Sequence, residues 1–271
     1  MDKNRILKEE IGVWVSIKIY LPHKVRYVLE IAYDGTNYHG WQSQLNGTTV
    51  QEALEGELAK ILGTKTNIMG CGRTDAGVHA RHFILHFDYD KELPQRFLFR
   101  INQMLPSDIA IYDAFEVEEN FHSRFSATYR KYVYKTHFRK NPFQEGGSLF
   151  LFQMPSIDKM NAACKVLMQQ DDFASFCKRN ADGKTTNCDL MLAEWKEVQY
   201  GFEFHVKANR FLRNMVRALV GTLLDVGYGN ISLDQLEQII HDKKRSSSGK
   251  SVAAKGLYLE EIGYNWDEYR K

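Results

Sequence analysis

The sequence has few cysteines, little net charge and no long uninterrupted apolar segment. Its four cysteines, at positions 71, 164, 177 and 188, form neither a CxxC pair nor a zinc-binding quartet. Reduced thiols are therefore expected, and a disulfide framework is not. The net charge of +2 is too small to indicate a nucleic-acid binder by itself, so any basic surface must be local. A chain of 271 residues has room for one large domain or two small ones.

Residues 11–21 are moderately apolar but are interrupted by Lys18. This segment is too short to span a bilayer, and no small-residue cleavage pattern follows it. We therefore expect a cytoplasmic protein without a membrane anchor. Residues 1–24 are interpreted as an N-terminal extension, which could be an added strand, a disordered arm or the product of a start codon placed too far upstream.

The most informative segment is residues 72–80, with the sequence Gly-Arg-Thr-Asp-Ala-Gly-Val-His-Ala. Gly72 and Gly77 favour tight turns and leave room for a ligand, since neither carries a β-carbon. A strand-like run, 83–87, follows directly, and a loop held by a strand is a common place for chemistry. Asp and Gly also dominate ordinary turns, and turn chemistry alone would favour that simpler interpretation of Asp75.

The same order of elements is predicted twice along the chain. The first half reads as strand, helix, two strands, helix and strand, and the second half repeats this order. The stripe of Val50, Leu54, Leu58 and Ile61 predicts a helix buried on one face, and Ser232 is a candidate N-cap of a further helix. The pattern predicts an α+β protein with antiparallel sheet and helices gathered on one side. The second-half elements are predicted at about 129–138, 157–169, 190–199, 202–208, 211–227 and 257–264.

Three local basic segments stand out against the small net charge. Residues 124–140 carry six basic and no acidic side chains, with aromatic residues interleaved. Arg210, Arg213 and Arg217 are spaced to share one face of the helix predicted at 211–227. Residues 243–250 form a third basic segment, interpreted as a mobile loop. Single charge runs are usually just solvated faces, but basic and aromatic side chains together are typical of RNA-binding surfaces.

Seven segments, in this order along the chain, resemble the TruA-type tRNA pseudouridine synthases. They are residues 33–42, 49–55, 72–80, 121–127, 131–134, 209–217 with 220–223, and 256–259. The chain departs from the family pattern at Ala253, where members often have proline, and at residues 184–188, which lack an arginine that many members have. The resemblance implies a pseudouridine synthase fold: two related βαββαβ-like halves, 25–125 and 126–271, with antiparallel sheets and a central catalytic cleft.

The family resemblance also implies an activity and its partners. The chain is expected to be an isomerase that converts uridine to pseudouridine at positions 38, 39 and 40 in the anticodon stem-loop of tRNA. It is expected to need no metal and no cofactor and to work as a homodimer. Asp75 is then the catalytic carboxylate, and Arg217 is the cation that keeps it ionised. Tyr132 would stack on or hydrogen-bond the flipped base, Leu257 would form an apolar wall, and Arg73 would probe the RNA and fill the gap left by the base.

Simpler interpretations exist for these residues. Tyr132 and Tyr134 alternate along a strand, so both would lie on one sheet face, where core packing is the commoner role. Arg73 could pair with a nearby carboxylate, and Arg217 could be a surface arginine.

Some of these residues are also compatible with two functions from other classes. Asp75, His79, His82 and His86 would converge on a metal if they lay on one helix, but Gly77 and the run 83–87 make a helix there improbable. A non-catalytic RNA-binding protein with this fold is the other alternative. The intact Arg73-Thr74-Asp75 sequence and Tyr132 argue against it.

Overall fold

The computed structural model describes residues 24–178 and 185–271. The strands are β1 (Val25–Tyr33), β2 (Met69–Gly70), β3 (His79–Tyr89), β4 (Ile109–Val117), β5 (Tyr129–His137), β6 (Leu149–Phe150), β7 (Leu190–Val198), β8 (Gly201–Ala208) and β9 (Leu257–Gly263). The α-helices are α1 (Val50–Leu62), α2 (Phe97–Met104), α3 (Ile157–Leu167), α4 (Met215–Tyr228), α5 (Leu233–His241) and α6 (Trp266–Tyr269). The predicted extension 1–24 lies outside the described residues, except for Lys24, and so does Lys184.

The strands of the described residues form a mostly antiparallel sheet in the order β4-β1-β3-β9-β5-β8-β7. The first half contributes β4-β1-β3, with β2 paired to β3, and the second half contributes β9-β5-β8-β7. In each half, the first strand lies between the last strand and the third strand. This repeated order confirms the predicted α+β architecture of two βαββαβ-like halves.

The two halves of the sheet meet along one edge of β3. The end of β3 pairs with β2 at His86 and Leu85, whereas its start pairs in parallel with β9, His79 opposite Tyr258 and Ala80 opposite Leu259. Residues 71–78, which connect β2 to β3, therefore leave the sheet at the point where β9 pairs with β3. This junction positions the loop that contains Asp75.

Each half has its own hydrophobic core, and each core includes side chains from the other half at the junction. Leu259 and Ile262 of β9 pack into the core of the first half. Val78, from the first half, packs into the core of the second. The buried stripe of α1 is confirmed, and Thr49 begins this helix with a reciprocal capping box, which satisfies otherwise unpaired backbone N–H groups. Ser232 caps α5 in the same way, as predicted.

The predicted start of the late helix was wrong. The sequence indicated a helix from 211, but α4 begins at Met215 because Asn214 adopts a left-handed conformation with φ 66°. Arg210 and Arg213 therefore lie in the segment before the helix and do not share a helix face with Arg217. No helix in the described part of the chain is both long enough and apolar enough to cross a membrane.

Candidate active site at the junction of the two halves

The loop 71–78 is held by hydrogen bonds to the segment that follows β1. Trp41 N–H donates to the carbonyl of Thr74 at 3.2 Å, and Gly77 N–H donates to the carbonyl of Tyr38 at 3.2 Å. The buried hydroxyls of Tyr33 and Thr74 lie 2.8 Å apart. Gly77 has φ 74°, a value that glycine adopts with little strain. The backbone on both sides of Asp75 is therefore fixed before any ligand binds.

Asp75 and Arg217, chosen from separate motifs, form an ion pair. Arg217 Nη1 lies 3.3 Å from Asp75 Oδ2, and Arg217 Nε donates to the carbonyl of Val252 at 2.8 Å. The side chains of Asp75 and Arg217 are 31% and 21% exposed. Arg217 is therefore not a simple surface arginine. The carboxylate is held by a cation yet remains open to a ligand.

Tyr132 lies between the two halves and differs from its neighbour Tyr134. Tyr134 is fully buried, and its hydroxyl donates to the carbonyl of Ala253 at 2.8 Å, so core packing is the correct interpretation for this residue. Tyr132 is half-buried, packs against both cores and meets Phe211 edge to face at 5.2 Å.

Burial raises the pKa of Tyr132, and the nearby Cys71 and Asp75 side chains raise it further. The phenol is protonated at neutral pH, as an ordinary tyrosine is, and can donate a hydrogen bond.

Leu257 and Arg73 have contrasting environments. Leu257 is buried in the second core and pairs with Tyr134 across β9 and β5. Arg73 is exposed and forms no ion pair with a carboxylate of the described residues. The simpler interpretation, in which Arg73 pairs with a nearby acid, is therefore not supported. Gly72 lacks a left-handed φ, and a β-carbon there would meet open space, so the turn does not require glycine at this position.

A residue that the sequence did not single out, Arg130, connects the halves near the loop. Its guanidinium donates to the carbonyls of Ala127, Asn209, Cys71 and Arg124, at distances between 2.5 and 3.2 Å. In the sequence it is one of six basic residues in 124–140, and nothing local distinguishes it from the others. Its side chain is used for internal structure, which reduces the positive charge of that segment available to RNA.

The other basic residues also have different environments in the fold. Lys135 lies over the Tyr258 ring, with its ammonium 4.8 Å from the centroid, and 3.8 Å from Glu203. Because alternate side chains of β5 point to opposite faces, Lys131 and Lys135 face away from Tyr132. The segment 243–250, predicted to be mobile, is anchored by Arg245 to Ser251 at 2.7 Å and by Gly249 N–H to Thr222 at 2.9 Å.

The histidines considered as metal ligands have separate protein partners. His79 Nε2 lies 3.1 Å from the carbonyl of Lys255. His82 Nδ1 accepts from Ile262 N–H at 3.2 Å. His86 Nδ1 lies 2.9 Å from Ser123 Oγ. No group of three or more potential metal ligands converges within residues 24–178 and 185–271.

Comparison with known proteins supports the same family as the motifs. The sequence profile of the family described as tRNA pseudouridine synthase matches residues 30–126 and 163–265. The chain is 43% identical over 242 residues to tRNA pseudouridine synthase A of Bacteroides fragilis, covering 88% of this chain and 96% of that protein. It is 41% identical over 244 residues to tRNA pseudouridine synthase A of Parabacteroides distasonis, with the same coverage of 88% and 96%.

Similarity to solved structures is lower. The archaeal box H/ACA sRNP Nop10-Cbf5 complex overlaps 85% of this chain and 59% of that one, with a TM-score of 0.34 and 12% identity. The profile match and the identity to full-length relatives decide the assignment: this chain belongs to the tRNA pseudouridine synthase family.

Proposed function

We propose that this protein isomerises uridine to pseudouridine at positions 38, 39 and 40 of the tRNA anticodon stem-loop, with Asp75 as the catalytic carboxylate. The observation that carries the proposal is the Asp75–Arg217 pair: an accessible carboxylate, 3.3 Å from a cation, on a fixed loop where the two halves of the sheet meet. An accessible carboxylate beside a cation is suited to nucleophilic or base chemistry.

The reaction breaks the bond between ribose C1′ and uracil N1, turns the base and forms a bond from C1′ to C5. The hydrogen on C5 is released to solvent as a proton and N1 gains one, so the overall change is redox-neutral. Asp75 can act either by attacking the sugar or base covalently or by taking a ribose proton. Both routes need an ionised carboxylate and exclusion of water from the sugar.

The other site residues receive supporting roles in the proposal. Arg217 orients the carboxylate through the contact of its Nη1 with Asp75 Oδ2. Tyr132 contacts the flipped base with its ring or hydroxyl, and Leu257 contributes the apolar wall. Arg73, exposed on the same loop, enters the RNA where the base leaves, which offsets part of the cost of unstacking.

The wider proposal retains the organisation implied by the family. Residues 25–125 form the half with the catalytic loop, and residues 126–271 complete the cleft and the RNA surface. The enzyme works as a homodimer in the cytoplasm, and the isomerisation uses no metal or cofactor.

The test is release of tritium from C5 of uracil in labelled tRNA. Asp75→Asn should abolish release while tRNA affinity stays within severalfold, because binding is distributed over many phosphate contacts. Asp90→Asn, at an exposed aspartate after β3, is the matched control and should retain wild-type turnover. Substantial release by Asp75→Asn would exclude it as the catalytic group, and no release by the wild type would favour a non-catalytic RNA-binding protein.

A further inference from the structure

The turn at residues 121–126 presents an aromatic side chain to solvent. Phe125 is 69% exposed, and the preceding Arg124 is exposed as well. Exposing a phenylalanine gives up the free energy that its burial would provide. Single exposed apolar residues are common, so the surroundings of this ring decide whether it has a use.

The turn is rigidly supported from beneath. Ser123 Oγ donates to the carbonyl of Met69 at 2.7 Å, and Ser123 N–H donates to His86 Nδ1 at 3.2 Å. The hydroxyl of Tyr264 donates to the carbonyl of Ser123. Ser123 therefore ties the backbone of this turn to the sheet.

Two neighbouring side chains lie beside the ring. His122 lies 4.4 Å from Phe125 between ring centroids, with 38° between the planes, and the Arg124 guanidinium lies 5.6 Å from the Phe125 centroid. Arg124 N–H donates to His122 Nδ1 at 3.1 Å, which fixes the imidazole. These three side chains form a tilted stack that leaves the Phe125 ring largely exposed.

The stack is connected directly to the catalytic loop. A single nitrogen of Arg130, Nη2, donates both to the carbonyl of Arg124 at 2.5 Å and to that of Cys71 at 3.2 Å. Cys71 begins the loop that carries Arg73 and Asp75. The turn that carries Phe125 and the loop that carries Asp75 therefore share one side-chain anchor.

The charge around the stack favours nucleic acid over protein or lipid. Residues 121–144 contain no Asp or Glu. Arg124, like Arg73, forms no ion pair with a carboxylate of the described residues. Exposed aromatic rings flanked by unpaired cations are the expected surface for unpaired nucleotides, because the ring stacks on a base while the cation binds phosphate.

We propose that Phe125 is a stacking platform for an unpaired nucleobase of the substrate RNA, with Arg124 binding an adjacent phosphate. The base that stacks here is a different one from the uridine that enters the cleft. This inference rests on the proposed function, since it takes an anticodon stem-loop as the substrate. It adds a contact that positions the RNA loop relative to Asp75.

The test uses an anticodon stem-loop RNA with 2-aminopurine at single loop positions. Stacking on Phe125 should quench the fluorescence at one position in the wild type. Phe125→Ala should abolish that quench and weaken RNA binding roughly tenfold, whereas Phe125→Trp should retain both. Phe99→Ala is the matched control: Phe99 is 56% exposed and also lies beside an arginine, Arg96, 4.5 Å from its centroid, but on α2. It should bind RNA as the wild type does.

The outcomes separate the platform from the catalytic proposal, because binding and fluorescence need no turnover. Wild-type affinity and quenching in Phe125→Ala, with an unchanged thermal midpoint, would overturn the platform and leave the exposed ring for a protein partner. Equal weakening by Phe125→Ala and Phe99→Ala would overturn it as well. An intact quench in a wild type that forms no pseudouridine would overturn the proposed catalysis and still support the platform.

Discussion

Gly40 lies directly against the carbonyl of Thr74, so closely that a β-carbon on Gly40 would come within 2.4 Å of that oxygen. Gly40 also has φ 90°, a conformation that residues with side chains rarely adopt. The residue before Asp75 therefore rests on a backbone surface that only glycine provides. This contact fixes how closely the loop that carries Asp75 approaches the segment after β1.

Gly40→Ala should accordingly lower the free energy of unfolding by about 2–4 kcal/mol, from backbone strain and overpacking, and should also reduce kcat. Gly72→Ala is the control within the same site, because a β-carbon there meets open space. It should leave stability within about 0.5 kcal/mol. Denaturant unfolding gives the free energy of unfolding of both variants. Equal values would show that the loop shifts at little cost to make room for a β-carbon on Gly40.

The Arg217 guanidinium bridges the Asp75 carboxylate and the Val252 carbonyl, so it does not grip the carboxylate at two points. Arg217→Leu should lower kcat on the order of 100-fold, because the carboxylate loses both its cation and its orientation. Arg217→Lys should fall between that variant and the wild type, since one ammonium cannot replace a planar fork with two separate partners. Steady-state tritium release measures both. A lysine variant with wild-type kcat would show that charge alone suffices.

Arg130 should matter for stability because four backbone carbonyls share its guanidinium. Arg130→Met should lower the free energy of unfolding by about 2–4 kcal/mol, since charge-assisted hydrogen bonds are lost and their acceptors are left partly unpaired. Arg139→Met, at an exposed arginine that stacks on Tyr200, should cost no more than about 0.5 kcal/mol. Similar losses in the two variants would contradict a structural role specific to Arg130.

His86 should make stability depend on pH. Burial, with the charge of Arg26 and the nearby His122, lowers the pKa of His86 to about 4, below the ordinary value near 6.5. Well above pH 6.5 the imidazole is neutral in both the folded and unfolded states, so it does not make the free energy of unfolding depend on pH. As pH falls from 6.5 to 4 the unfolded chain binds a proton that the folded chain does not, so stability is lost.

The His86 contribution to this loss should be about 1–3 kcal/mol. His86→Asn keeps an acceptor for Ser123 N–H without a titrating ring, so its unfolding free energy should fall less steeply between pH 6.5 and 4.5. Chemical denaturation at several pH values gives both slopes. Parallel curves would show that other groups cause the pH dependence.

Patterns confined to one element were readable from the sequence. The α1 stripe and its Thr49 cap depend on residues within a few positions of each other, and so does the Ser232 cap. The pairing of Asp75 with Arg217 followed from two family motifs 142 residues apart. Spacing alone contains no information about that contact.

Features that depend on distant partners were not readable. Asn214 delays the start of the expected helix to Met215, and it donates to Ser251 at 2.6 Å, a partner 37 positions away. Tyr132 and Tyr134 have the same alternation, and only the meeting of the two halves leaves one half-buried and the other in a core. Arg130 looked like a phosphate ligand because its carbonyl partners belong to other segments.

The position of β9 has a consequence for synthesis on the ribosome. Every strand of the first half emerges before β9, yet the start of β3 pairs with residues 258 and 259. Until then that edge of β3 is open, and an open edge invites pairing with other chains. Arg217 likewise emerges long after Asp75. The first core therefore lacks Leu259 and Ile262 until late in synthesis, and the Asp75–Arg217 pair forms only after most of the chain has left the exit tunnel.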